Sequence, residues 1–117
     1  GHTVNHPILS RLDRAAAERE IGEGAASMRR ALGREELVTF AYPWGRDWDF
    51  NEESQRAVRL AGFRAAVTMH PGVNRPGSDP WTYRRLAIAE DCEMHLLVAE
   101  ACGGFELLRR FGIDLSQ

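Results

Sequence analysis

The sequence has no lysine; all fifteen of its basic residues are arginine. Without a lysine amine, Schiff-base chemistry is excluded, and so is a Walker-type phosphate loop, whose lysine reaches the phosphates. A surplus of charge is missing too. Fifteen basic residues against seventeen acidic ones leave a net charge of −2, too balanced for nucleic acid or another polyphosphate partner. No run of eighteen apolar residues occurs, so neither a transmembrane helix nor a membrane partner is expected. Cysteine is scarce: Cys92 and Cys102 are the two present, ten residues apart in a stretch that reads as helical. That separation is about 15 Å along a helix axis, whereas a disulfide needs Cα atoms within about 7 Å. Free thiols favour a reducing, bacterial-type cytoplasmic setting without ruling out export. An initiator methionine is also lacking, Met28 being the first. No basic stretch followed by an apolar run marks a signal peptide.

What is present is globular. The 117 residues are 44% hydrophobic and 27% charged, within the range of one domain. A helix is expected over Arg14 to Leu32, with Asp13 as N-cap and Gly33 as the left-handed stop. Ile21, Ala25, Met28 and Leu32 form its apolar stripe, and Gly22 and Gly24 leave room for a close neighbour. Leu37 to Tyr42, ended by Pro43, reads as a buried strand. Asn51 caps a second helix to Ala61, stopped by Gly62, and Phe63 to Thr68 reads as the next strand. Met69 to Thr82 carries too many Pro and Gly breakers for regular structure. Arg85 to Ile88 is expected as a third strand. Asp91 to Cys102 reads as a helix with Met94, Leu97, Val98 and Ala101 on one face, and Phe105 to Phe111 as a last short helix. Strands alternating with helices imply a parallel sheet with helical crossovers, an α/β fold. Three strands leave open edges, so something further is expected to complete the sheet.

The most informative string is Gly1-His2-Thr3-Val4-Asn5-His6-Pro7. Two histidines at i and i+4 converge on one metal if the backbone turns helically between them, and neutral imidazole is the usual zinc ligand. By spacing alone the pair reads equally well as two surface histidines behind a cloning scar. Trp44 and Trp48 suit stacking on sugar rings or simple burial of area. Arg85 is placed to meet a substrate or a carboxylate, or merely to flank a strand. His95, with Cys92 three residues before it, reads as structural.

The sequel weights these alternatives. His2-Thr3-x-x-His6-Pro7, followed by Leu9 and Leu12, resembles the second motif of the polysaccharide deacetylases (NodB-homology, carbohydrate esterase family four). Phe40-Ala41-Tyr42-Pro43-Trp44-Gly45 is similar to the third motif in one branch of that family. Ala61-Gly62-Phe63, Ala65-Ala66-Val67-Thr68, Gly72-Val73-Asn74-Arg75 and Arg85-Leu86 extend the resemblance to about residue 90. It implies a partial (β/α) barrel of the distorted seven-stranded deacetylase type, with roughly three strands and four helices in this chain. It implies metal-dependent hydrolysis of an N-acetyl or O-acetyl group on a carbohydrate or related acyl compound. His2 and His6 would be metal ligands, for zinc or another divalent metal that this chain alone need not hold. Trp44 would offer its backbone N–H to the oxyanion, and Thr3 would tie down the ligand loop. Tyr42, Trp48 and Arg85 would bind substrate.

The departures matter as much. The family's third ligand and its general base come from an Asp-Asp pair, and none occurs here; Asp47, Asp49 and Asp79 are isolated. The third motif of most members has an arginine where this chain has Ala41, which removes an orienting charge. The late leucine-rich motif with its histidine is not recognisable, and Trp81 near Asp79 only echoes another family motif at the wrong spacing. A full barrel needs about 250 residues. Residues 1–117 are therefore expected to form a single incomplete catalytic domain, its C-terminal portion, with little or no activity alone. It is expected to be completed by a missing N-terminal half or by homo-oligomerisation. The competing reading is a non-catalytic assembly or binding module that keeps the scaffold.

Overall fold

The computed structural model describes residues 1–86, 88 and 93–112. Three parallel strands, β1 (Thr39–Ala41), β2 (Ala65–Pro71) and β3 (Tyr83–Arg85), form one sheet in the order β1-β2-β3. Helix α1 (Arg14–Leu32) precedes the sheet, α2 (Glu52–Leu60) crosses from β1 to β2, and α3 (Met94–Ala101) and α4 (Glu106–Arg110) follow β3. A single 3-10 turn, Leu9–Arg11, leads into α1. The partial α/β architecture expected from the sequence is the one observed.

The caps follow local chemistry. The Asp13 carboxylate accepts from the Ala16 amide, and Gly33 ends α1 at φ 62°. Asn51 and Ser54 form a reciprocal capping box at the start of α2, each meeting an amide that lacks a partner within the helix. Gly24 lies against the Thr3 backbone, where a Cβ would come within 3.1 Å of the Thr3 carbonyl, whereas Gly22 faces open space. The close approach is thus made at one of the two glycines. The apolar stripe of α1 is buried at Ile21 and Ala25 and partly at Met28, but Leu32 is exposed.

The core lies between the α1–α2 layer and one face of the sheet. Phe40 makes edge contacts with Tyr42 and Phe63, at centroid distances of 5.5 and 5.3 Å. Tyr42 stacks on Phe50 at 4.1 Å, and Leu9, Leu37, Val58 and Ala66 close around them. Along β2 the buried positions alternate, Ala66 and Thr68 facing inward.

Boundaries move where pairing overrides composition. β1 is shorter than Leu37 to Tyr42: both of these residues are buried, but they flank the paired Thr39–Ala41 segment. β2 begins later than Phe63 and runs through Met69 and His70, so the expected loop starts at Gly72. Pro71 ends the strand; lacking an N–H, it cannot extend the ladder. β3 lies two residues before the expected Arg85–Ile88. The Asn74 side chain donates to the Arg84 carbonyl and accepts from its amide, both at 2.9 Å, and so acts as a neighbouring strand for Tyr83–Arg85. Helix α3 starts at Met94; Asp91 and Cys92 of the expected helix lie outside the described residues, and Cys102 is a free, exposed thiol. The face of α3 expected to be buried is largely open, with Met94 and Val98 exposed. Among the described residues no helix is long and apolar enough to cross a membrane.

Candidate functional site

At the C-terminal ends of β1 and β2 an open cleft of about 340 Å³ is lined by His2, His6, Tyr42, Trp44, Arg46, Met69 and Arg85. In open parallel sheets this end is where ligands bind. The cleft unites five of the six residues singled out from the sequence. Arg46 and Met69 were missed: one is an ordinary loop arginine by pattern, and the other was assigned to a loop instead of a strand end.

Gly1 places the histidines. Its amino group donates to the Thr39 carbonyl at 2.7 Å, and its carbonyl accepts from the Ala41 amide at 2.8 Å. This is the bonding of a parallel strand partner, made on the edge of β1 that β2 leaves free. His2 follows directly, and its Nδ1 lies 2.7 Å from the Ala41 carbonyl oxygen. A carbonyl only accepts, so Nδ1 carries the proton and Nε2 keeps its lone pair for a ligand. The Ala41 position, which carries no charged side chain, thus orients His2 through its backbone.

Between the histidines the chain does not turn helically, as the i, i+4 spacing had suggested. Thr3 and His6 are both left-handed, at φ 58° and 56°. The Thr3 hydroxyl donates to the His2 carbonyl at 2.6 Å and accepts from the His6 amide at 3.1 Å. Outside the turn, the Glu20 carboxylate of α1 accepts from the amides of Val4 and Asn5 and from the Asn5 side chain, at 3.1, 2.9 and 2.7 Å. These bonds hold the Glu20 carboxyl below the usual carboxylate range, the Asn5 side chain contributing most. The result is convergence: the two imidazoles meet edge to face with centroids 4.6 Å apart, and His6 meets Trp44 at 5.4 Å. Sequence inspection missed Glu20; its only signal was an acid beside the apolar stripe of α1, four residues before Gly24.

Trp44 sits at φ 63° and Gly45 at φ 69°. A bulky residue in the left-handed region is strained and costs about 1–3 kcal/mol, so the surroundings must hold it. They do: the Met69 amide donates to the Gly45 carbonyl at 2.9 Å, and buried Asp49 accepts from the Arg46 amide at 3.0 Å. The Ser10 amide and hydroxyl bond the carbonyls of Asp49 and Trp48. A Cβ at Gly45 would stand 2.8 Å from the Met69 nitrogen, which requires glycine there. In this geometry the Trp44 amide donates to no group among the described residues and its indole is exposed beside His6.

The other expected substrate contacts divide. Arg85 donates from Nε to the Thr68 carbonyl at 2.7 Å and from Nη2 to the Met69 sulfur, which fixes its guanidinium at the cleft wall. Tyr42 underlies the cleft: its ring is fully buried and its hydroxyl donates to the Trp81 carbonyl at 3.0 Å. Burial pushes that phenol well above its ordinary pKa. Trp48 is outside the cleft lining and highly exposed, with the Arg46 guanidinium 5.7 Å from its ring centroid. Trp81 packs against the core beneath Arg59, and Asp79 caps its turn, so neither reaches the histidines. His95 is exposed beside Glu93 on α3.

A catalytic zinc takes three protein ligands. His2 and His6 supply two imidazoles, one with its tautomer set for ligation, and no group of three or more His, Cys, Asp or Glu able to hold a metal occurs among the described residues. The donor set therefore fits part of a zinc site, with no third ligand among the described residues.

Comparison with known proteins agrees with this fold. A deacetylase from Streptococcus pyogenes, PplD, solved in complex with acetate, has a similar fold: the TM-score is 0.75 at 21% sequence identity. The match covers 85% of this chain and 42% of that one, so this chain spans less than half of that protein's length. The search of curated proteins found no match. The polysaccharide deacetylase family matches over residues 1–66, the span that carries both histidines, the Trp44 loop, β1 and the start of β2. The chain belongs to the polysaccharide deacetylase family.

Proposed function

We propose that the chain forms the histidine side of a metal-dependent hydrolase site that removes N-acetyl or O-acetyl groups from a carbohydrate polymer or related acyl compound. The observation that carries this reading is the His2–His6 pair, with Nδ1 of His2 committed to Ala41, beside the Trp44 ring, whose backbone amide donates to no group among the described residues. Zinc or another divalent metal, when bound, would supply Lewis-acid polarisation of the acyl carbonyl and an acidified water. His2 and His6 would be two of its ligands. The Trp44 N–H would donate to the acyl oxygen as negative charge develops on it, a preformed donor that needs no reorganisation. Trp48 would offer an exposed ring to a sugar face. Arg85 would meet polar substituents at the cleft wall, and Tyr42 would support the floor.

Among the described residues no acid lines the cleft, so the base and the third ligand would come from a further segment, and the described residues alone would turn over little or nothing. Zinc titration monitored by competition with a chromophoric chelator tests the site. One equivalent bound, and lost in His6→Ala, is the expected result; binding indifferent to His6→Ala would sink the reading. Robust release of acetate by the isolated chain would overturn the claim that its base comes from elsewhere.

A second reading concerns assembly. Gly1 makes strand-like bonds to the free edge of β1, and that edge would continue into a further strand, from an N-terminal half or a second copy. Light scattering that shows a monodisperse monomer at high concentration would count against self-pairing.

A further inference from the structure

We infer that Glu20 is a positioning residue for the histidine pair, its carboxylate clamping the turn that brings His2 and His6 together. The inference rests on the reading of those histidines as ligands and adds what holds them in place. Three donors from the middle of the turn converge on this one carboxylate: the amides of Val4 and Asn5 on Oε2, and the Asn5 side chain on Oε1. Bonds from amides to an ionised acceptor are among the stronger hydrogen bonds. The turn needs such a restraint, since it carries two left-handed residues that are not glycine, Thr3 and His6, and such backbone relaxes unless its surroundings over-determine it.

The helix is shaped to receive the turn. Glu20 and Gly24 are one helical turn apart on the same face of α1. Gly24 has no side chain where the Thr3 backbone comes close, and Glu20 reaches over the next stretch of the turn. Among the described residues Glu20 forms no ion pair, so its acceptor capacity is spent on the turn. Thr3 bonds the turn from inside and Glu20 from outside. Both histidines are then fixed before any ligand arrives.

The test compares the 117-residue chain with Glu20→Ala, Glu20→Gln and, as a control on the same helix, Glu23→Ala. Amide hydrogen exchange of Val4, Asn5 and His6 is measured without metal, and zinc affinity by chelator competition. In Glu20→Ala, exchange at these amides is expected to accelerate at least tenfold and zinc affinity to fall about 10–100-fold, the range typical of supporting groups behind a ligand. Glu20→Gln, which keeps the length and one acceptor oxygen, should recover part of both losses. Glu23→Ala should match the wild type, and the thermal midpoint should stay within about 3 °C in every variant, as for surface substitutions. Unchanged exchange at Val4 and Asn5 in Glu20→Ala overturns the clamp. Faster exchange with unchanged zinc affinity overturns its role in positioning ligands. A wild-type chain whose zinc binding ignores His6→Ala instead removes the metal reading, while the exchange data still decide whether Glu20 holds the turn.

Discussion

Single residues set this site through hydrogen bonds more than through burial. The Glu20 carboxyl is held below its ordinary range by Asn5, first through its side chain and then its backbone. A group whose pKa is lower folded than unfolded contributes stability above the unfolded value and loses it as pH falls through the folded one. The turn should therefore be fully clamped at neutral pH and released only in acid, below about pH 4. NMR signals of the Asn5 side-chain amide should stay constant from pH 7 down to the ordinary carboxylate range, about pH 4, and shift toward a free amide beneath that; a transition near neutrality would contradict the assignment. Gly45 is the other sensitive position. Gly45→Ala places a methyl against the Met69 backbone at a left-handed φ, so a loss of about 1–3 kcal/mol is expected in chemical denaturation.

At the scale of elements, the caps and crossover hold the site's platform. Helix α2 joins β1 to β2 and is started by the reciprocal Asn51–Ser54 bonds. Asn51→Ala removes one of two amide partners and should cost about 1 kcal/mol, read as a lower denaturation midpoint with an unchanged slope. Strand β2 carries more than its sequence suggested. Its Val67 carbonyl accepts from the Tyr42 amide, and its Met69 amide donates to Gly45, so the end of this strand braces the Trp44 loop from beneath. Such a role was not legible in the string Met69-His70-Pro71, because Pro71 looks like a breaker until the ladder shows it to be a strand end.

The molecule as a whole exposes more than its mass warrants. Its radius of gyration is 15.7 Å, against about 13 Å expected for a compact chain of this length. Its accessible surface is 7747 Å², against roughly 6,400 Å² for a folded monomer of this mass. Apolar side chains contribute to the exposed surface. Ile88, Met94, Val98 and Phe111 are each more than half exposed, and among the described residues the free edge of β1 is met by Gly1 and the His2 side chain alone. Both features favour association with a further segment or a second copy. Light scattering across a concentration series is expected to show a mass that rises above 13.2 kDa. Within the core, Phe40→Ala removes the ring shared by Tyr42 and Phe63 and should cost about 3–5 kcal/mol, enough to unfold a chain whose core is this small.

The sequence by itself determined the element order, the caps of α1 and α2 and the parallel α/β class, because each is written in local chemistry: a capping side chain, a breaker, a spacing. The two histidines and Trp44 stood out only through the family resemblance. The sequence also determined that no Asp-Asp pair accompanies them. Only the tertiary structure decided how the histidines converge. The spacing suggested a helical turn, whereas the backbone uses two left-handed residues held by Thr3, Glu20 and Ala41. Glu20 is fifteen residues from Asn5 and Ala41 thirty-nine from His2 in the chain. Bonds across such separations leave no periodic trace in sequence, since they exist only once α1 and β1 have both packed against the same turn.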